Sequence, residues 1–358
     1  MTGALPAPGP ALGAVRRAVS AWHRAHGEPP RVCAGLSGGA DSLALVAALA
    51  QARIRTSAIV IDHALQPDSA SVAQSAVAAA ARVGCPDARV ARVTVGARGG
   101  LEAAARTARY AALDSCRDGA PVLLAHTLDD QAETVLLGLG LGSGARSLAG
   151  MREWAPPYGR PLLGVRRAVT VAACTELGEL PYRDPHNADP RFTRVRLRAE
   201  SLPLLEEILG GGVAEALART ADALRADGDA LDALAAAVLA GRPRGSGLPV
   251  TAVSGLSQAV RVRVLRAWLA ADGARALTSA HLRAVDRLLT DWHGQGPVAV
   301  PAGPDAAVPA GPDAAVPAGP GPAAPRFVVV RDNGILKTTW ACDARCGPVG
   351  RRTKGTDG

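Results

Sequence analysis

The sequence predicts an α/β fold: a parallel sheet with helices on both faces, followed by a smaller, mainly helical domain with a short β-hairpin. Three observations predict it. As far as Leu139, short apolar runs alternate with stretches of helical periodicity. Polar clusters follow three of those runs. From Gly210 onward the pattern changes to long helical stretches and a few short apolar runs. Strand and helix in strict alternation argue for a parallel sheet covered on both faces.

The elements read as follows. Residues 14 to 26 are helical in pattern, with Val15, Val19 and Trp22 on one face. Arg31 to Leu36 opens after Pro29 and Pro30 and reads as a buried strand. Gly38 and Gly39 break it, and Leu43 to Leu49 reads as a helix. Ser57 to Ile61 is the next strand, Ser71 to Val83 an alanine-rich helix and Arg89 to Val95 a strand. Leu101 to Cys116 is helical, Val122 to Ala125 extended and Asp129 to Leu139 helical. In open α/β sheets ligands bind at the carboxyl ends of the strands. The clusters Ser37 to Ser42, Asp62 with His63, and His126 to Asp130 are therefore expected on one rim.

In the second region Leu217, Leu224, Leu231 and Val238 recur every seven residues along Val213 to Ala240, the stripe of a helix packed on neighbours. Gln258 to Ala270 and His281 to Leu289 are further helices. Val298 to Val300, Arg326 to Val330 and Gly334 to Thr339 read as strands. Between them V-P-A-G-P-D-A-A occurs at Val300 and again at Val308, with a degraded copy from Val316. Prolines at that density cannot join a sheet ladder, so residues 300–325 read as an expanded, solvated hairpin loop.

Composition narrows the function. The net charge of +8 favours a polyanionic partner such as nucleic acid, with a basic enzyme lacking such a partner as the competing reading. Lysine occurs only at Lys337 and Lys354. The preceding chain therefore holds no Walker-type G-K-[ST] loop, no Schiff-base lysine and no lysyl-adenylate chemistry. An amine nucleophile must arrive with a substrate. The six cysteines (Cys33, Cys85, Cys116, Cys174, Cys342, Cys346) form no C-x-x-C pair. With no signal pattern and no long apolar run, the chain reads as cytoplasmic with reduced thiols.

Four strings carry chemistry. In S-G-G-A-D-S, Ser37, Gly38, Gly39, Ala40, Asp41 and Ser42 join a buried strand to a helix. The glycines let the backbone amides approach a phosphate, and the helix start adds its positive end. Asp41 would repel bare phosphate and makes sense as a ligand to Mg²⁺ carried by ATP. A plain strand-to-helix turn is the alternative. Asp130 and Glu133 are three apart on a predicted helix and face one way, which suits a cationic substrate; a solvated helix start is the alternative. His126 touches phosphate or base, or is a structural histidine. Arg106 and Arg109 share a helix face, and Arg106 stabilises charge at the α-phosphate or holds the tRNA, or else pairs with Glu102 on the surface. Asp62 and His63 lie by the nucleotide or simply form a turn. Arg183 to Arg198 holds five arginines, a candidate phosphate-binding face or a solvated basic helix.

The loop resembles the PP-loop of N-type ATP pyrophosphatases, which cleave ATP between the α- and β-phosphates. I-D-H-A-L at Ile61, L-E-A-A-A-R-T-A-R-Y at Leu101, and A-H-T-L-D-D-Q-A-E-T at Ala125 running on to Met151 resemble the tRNA(Ile)-lysidine synthetases. The resemblance covers roughly residues 30 to 205. The terminal residues 345–358 read as a disordered tail, and the resemblance implies a catalytic domain over 13–210 and a tRNA-binding domain over 211–344. It implies ATP and Mg²⁺ at Ser37 to Ser42, Asp62 and His63, adenylylation involving Asp41, Arg106 and His126, and L-lysine at Asp130 and Glu133. It also implies tRNA contact by Arg109, Asp184, Asn187, Arg194, Arg196 and Arg198. Here the family carries D-P-[ST]-N and R-N-R, whereas this chain has His186 and Val195 at two of those places. The reaction implied is the joining of lysine to C2 of the wobble cytidine in an isoleucine tRNA with a C-A-U anticodon. A homodimer is a candidate assembly. The rival within the superfamily is a tRNA thiolase, which needs suitably placed cysteines.

Overall fold

The structure, a computed structural model, describes residues 7–64, 68–96, 101–142, 144–182, 184, 189–303 and 326–341, with the side chains of 101–103 excepted. Asn187, the Glu102 side chain, residues 304–325 of the repeat, Cys342, Cys346 and the tail lie outside the described residues. The chain divides into two compact units between Arg225 and Ala226.

The first unit is built on α1 (Pro10–Ala25), β1 (Val32–Leu36), α2 (Ala40–Gln51), β2 (Thr56–Asp62), α3 (Ser69–Arg82), β3 (Ala88–Arg92), α4 (Leu101–Cys116), β4 (Val122–Leu123), α5 (Leu128–Gly140) and α6 (Ala145–Leu148). It continues through β5 (Trp154–Ala155), β6 (Tyr158–Gly159), α7 (Arg167–Glu176), α8 (Thr193–Arg196) and α9 (Leu202–Leu209). The six strands run in the order β3-β2-β1-β4-β6-β5, parallel except for β5. The expected parallel sheet is present, α8 falls in the stretch read as a basic helix, and the hairpin β5–β6 and helices α6, α7 and α9 are additions that the periodicity did not reveal.

The pleat distributes the apolar residues. Val32, Ala34 and Leu36 of β1 face the core formed with α1, α2, α3 and α7, while Cys33 faces Leu113 and Leu124 on the α4 side. Ala58 and Val60 of β2 join the first core, and Ile59 joins the second. α2 is apolar on every side and buried from Ser42 to Leu49, as a helix inside a large core must be. Its Leu43, Leu45 and Leu49 are fully buried, each worth about 1.5–3 kcal/mol of transfer free energy. Gly159 admits the indole of Trp22, since a Cβ there would stand 2.3 Å from that ring.

Chain order reverses at β1. β2 and β3 lie on one side of it and β4 on the other. That is the topological switch point, where a crevice opens beyond the carboxyl ends of the strands. The polar clusters after β1, β2 and β4 share this rim, as the sequence indicates.

The long helix α10 (Val213–Leu239) spans the division. Its Leu217 packs with Leu128, Ala132 and Leu202 in the first unit, and Leu231 and Val238 join the core of the second. In the second unit β7 (Leu248–Pro249), α11 (Gln258–Ala271), α12 (Ser279–Thr290), β8 (Val298–Ala299), β9 (Arg326–Asp332) and β10 (Ile335–Ala341) follow. The expected hairpin β9–β10 is the centre of a four-stranded antiparallel sheet, β7-β10-β9-β8. Trp268, Leu269, Leu282, Val285 and Phe327 fill its core, and Arg261 makes a buried ion pair with Asp286 at 2.6 Å.

Candidate active site

The loop after β1 is shaped by its own hydroxyls. The Ser42 Oγ accepts from the Ser37 amide at 3.2 Å, donates to the Gly39 carbonyl at 2.9 Å and lies 3.1 Å from the Ser37 Oγ. Ser42 is therefore used inside the loop. Gly38 has φ +81°, and a Cβ there would press on Ala76 at 3.2 Å, so glycine is required on both counts. The Gly38 carbonyl accepts from the Tyr182 amide at 2.9 Å. Ala40 and Asp41 open α2, so the free amides of its first turn face the rim.

Asp41 projects toward α7. Its carboxylate accepts from the hydroxyl of Thr170 and from Arg167 Nε at 3.1 Å. Burial pushes its pKa up, against the pull of Thr170 and Arg167. The same guanidinium reaches Asp130 Oδ1 through Nη2 at 2.6 Å and Glu133 Oε1 through Nη1 at 3.4 Å. Three carboxylates thus converge on one arginine. Burial opposes the charge of Arg167, but Asp130, Asp41 and Glu133 more than offset it and hold its pKa above the usual value. The helix start fixes the backbone that carries this side chain: the Arg167 amide donates to Asp129 Oδ2 at 2.7 Å, and Arg166 spans Asp129 and Glu215.

Asp130 has two tasks. One oxygen closes the capping box of α5, accepting from the Thr127 amide at 2.8 Å and the Thr127 hydroxyl at 2.9 Å. The other faces Arg167. Burial opposes its charge, yet Arg167 and the Thr127 amide keep its pKa below the ordinary carboxylate range. Asp130 is thus not the solvated helix start offered as the alternative: it is a part-buried cap whose free oxygen pairs with a protein guanidinium. Glu133 is fully buried and accepts from Arg198 Nε at 2.7 Å and Nη2 at 3.1 Å. Gln131, between them, exchanges two hydrogen bonds with the backbone of Met151.

The arginine-rich stretch is divided by direction. A single π turn, Leu197–Ser201, interrupts the helix that continues into α9. Arg198 points inward to Glu133 and Asp130. Arg194 donates to Thr134 at 3.2 Å and lies 4.0 Å from Glu133. Arg196 is exposed and pairs with Glu200. Asp184 is half-buried.

On the β4 and α4 side, His126 follows β4 and is largely buried. Its Nδ1 has no hydrogen-bond partner among the described residues, and burial lowers its pKa to about 4. His63 Nδ1 is likewise buried without a partner, with a pKa lowered by burial and by Arg109. Arg109 is itself desolvated, which lowers its pKa. Arg106 is exposed over the Tyr110 ring at 4.9 Å. Asp62 turns into its own loop, accepting from the Ala64 amide at 2.9 Å, and that bond lowers its pKa. Arg109 thus acts on both imidazoles, and Arg106 on His126, along the ends of β2, β4 and α4.

Family models match in two places. A PP-loop domain model matches residues 15–205, and a TilS substrate binding domain model matches residues 248–307. A tRNA(Ile)-lysidine synthase of Mycolicibacterium paratuberculosis is 62% identical over 291 residues, 81% of this chain and 90% of the relative. One of Nocardia farcinica is 57% identical, over 81% of this chain and 92% of the relative. The chain belongs to the tRNA(Ile)-lysidine synthase family. Among solved structures, a U34-tRNA thiolase of Methanococcus maripaludis aligns over 60% of this chain and 79% of that one, at TM-score 0.47 and 17% identity.

Three of the described cysteines, Cys33, Cys85 and Cys174, are buried. Cys33 contacts Ser57 inside the sheet, and burial pushes the thiols of Cys85 and Cys174 up to about 11, far from thiolate chemistry at neutral pH. Among the described residues no group of three or more His, Cys, Asp or Glu is placed to hold a metal by itself. No described helix is long and apolar enough to cross a membrane. Arg167 and Thr170, central to this site, were missed by sequence reasoning. The available signal was R-R-A-V-T-V-A-A-C-T-E at Arg166 to Glu176, a helical pattern that opens on two cations.

Proposed function

We propose that this chain uses ATP to join L-lysine to C2 of the wobble cytidine in an isoleucine tRNA with a C-A-U anticodon, forming a carbon–nitrogen bond. One observation carries the reading: the phosphate-type loop and a buried acidic pair are bridged by a single side chain, Arg167. A nucleotide held at the loop and an ammonium held at Asp130 and Glu133 would be neighbours. In the first step cytidine O2 attacks the α-phosphorus of ATP and pyrophosphate leaves. In the second the lysine ε-amine attacks C2 and AMP leaves. Charge stabilisation around the transferring phosphoryl group is the main catalytic demand. The amides of the Ser37–Ser42 loop, with Arg106, Arg109 and neutral His126 on the facing rim, supply donors for it.

Asp130, with a lowered pKa, suits holding an ammonium better than taking its proton. Mg²⁺ is held in proteins by one or two carboxylates plus the substrate phosphates, and Asp41 is the carboxylate at the loop. Its chemistry would be neutralisation of the departing pyrophosphate. We assign the tRNA to the exposed Arg196 and to the second unit, the reaction to the cytoplasm and the assembly to a homodimer, which sedimentation tests. The deciding assay mixes protein, ATP, Mg²⁺, labelled lysine and the C-A-U transcript. Tritium on the tRNA is expected. Its absence from folded protein overturns the reading.

A further inference from the structure

The cation position between Asp41, Asp130 and Glu133 is already filled. Arg167 uses all three guanidinium nitrogens on these carboxylates: Nε to Asp41 at 3.1 Å, Nη2 to Asp130 at 2.6 Å and Nη1 to Glu133 at 3.4 Å. A substrate ammonium aimed at Asp130 and Glu133 meets this guanidinium first. Arg167 already shares the oxygens of Asp130 and Glu133 with Arg198, so an arriving ammonium would be a third cation on two carboxylates and must compete with Arg167 for them.

Arg167 also has somewhere to go. It is 22% exposed, unlike the fully buried Glu133, and it stands at the first turn of α7 on a flexible stem. Asp41, its third partner, is in the Ser37–Ser42 loop itself. A triphosphate arriving there brings up to four negative charges. A guanidinium pairs with phosphate oxygens at least as well as with a lone carboxylate, and in the same forked geometry. Arg198 remains on Glu133 at 2.7 Å, so the acidic pair keeps its shape when Arg167 leaves.

We propose that Arg167 is a positioning residue that occupies the ammonium site of the nucleotide-free enzyme and yields it when the ATP triphosphate binds the Ser37–Ser42 loop. The enzyme then binds in order, nucleotide before lysine. Coupling of this kind is reciprocal: the factor by which nucleotide tightens lysine must equal the factor by which lysine tightens nucleotide. The inference rests on the lysine role proposed above for Asp130 and Glu133.

The test is equilibrium dialysis of labelled lysine against the full chain, with and without a non-hydrolysable ATP analogue and Mg²⁺. For the wild type a tenfold or larger drop in the lysine Kd on adding the analogue is expected. For Arg167→Ala the lysine Kd without nucleotide should fall toward the wild-type value with nucleotide, and the analogue should change it less than twofold. A residue that only braced the fold would weaken lysine binding on removal, so tighter nucleotide-free binding is specific to this idea. Arg167→Met, which keeps the stem and removes the charge, serves if the alanine variant does not fold. Equal lysine affinity with and without analogue in the wild type overturns the inference and leaves the lysine role standing. No lysine binding under either condition overturns both.

Discussion

Asp130→Asn separates the two tasks of one side chain. The amide keeps an oxygen that can accept from the Thr127 amide and hydroxyl, now at 2.8 and 2.9 Å, so the capping box survives. What is lost is the negative charge facing Arg167 at 2.6 Å and Arg198 at 3.5 Å. A hydrogen bond to a charged group is worth about 1.5–3 kcal/mol, and at 16% exposure solvent screens little of it. Folding stability in urea should fall by about that amount. The same charge would hold the lysine ammonium, and about 1.4 kcal/mol is a factor of ten. The lysine KM is therefore expected to rise roughly 10- to 100-fold, with the ATP KM changed less than about threefold. Asp130→Ala should lose a further ~1 kcal/mol of stability as the cap goes. The assay is steady-state tRNA labelling at varied lysine and saturating ATP. A lysine KM within about twofold of wild type, at wild-type kcat, would refute the charge argument. Equal stabilities of the Asn and Ala variants would refute the cap.

Three further outcomes follow from the geometry. Gly159→Ala drives a methyl to within 2.3 Å of Trp22 and 2.7 Å of Leu123, and overpacking of that kind should cost about 1–3 kcal/mol and several degrees in a thermal melt. His126 is held neutral when folded, with a pKa near 4 against 6.5 for the free group, so the unfolded chain takes the proton first. Its contribution is full above the upper value and lost as pH falls toward the lower one, up to about 3 kcal/mol, and His126→Gln should flatten urea-measured stability across that window. Ser42→Ala removes the loop's internal acceptor and donor, and the ATP KM should rise about fivefold to tenfold while the lysine KM stays put, as judged by two-substrate kinetics.

Local pattern revealed what local physics controls. β1 and β2 were legible as apolar runs because both their faces are buried. Asp130 and Glu133 were legible because helical spacing alone puts them together. Arg167 was not. Its meaning lies in reaching Asp41 across 126 residues of chain, and no periodicity encodes that distance. The direction of Arg198 was equally hidden, since a π turn at Leu197–Ser201 sets it and an unbroken helix of the same sequence would carry it elsewhere. β5 and β6, two residues each, are too short to show any alternation.

The scarcity of lysine gains a physical sense from the site. Among the described residues the cations that meet Asp41 and Glu133 are arginines, Arg167, Arg194 and Arg198, and Arg106 and Arg109 act on His126. A guanidinium cannot be deprotonated in a protein, so it carries charge without ever becoming a nucleophile. A lysine in the same pocket would be desolvated, and desolvation lowers an ammonium's pKa and frees its amine. Beside an adenylylated cytidine such an amine would compete with the substrate and bond the enzyme to its tRNA. Under the proposed reaction, arginine rather than lysine is the cationic side chain that can crowd this site and remain inert. Substituting Arg198 by lysine therefore tests more than the geometry of its two bonds to Glu133. A covalent protein–tRNA adduct formed with ATP and no free lysine, seen as a shifted band resistant to denaturant, is the expected side product. Its absence, in a variant that still adenylylates tRNA, would confine the arginine preference to hydrogen-bond geometry.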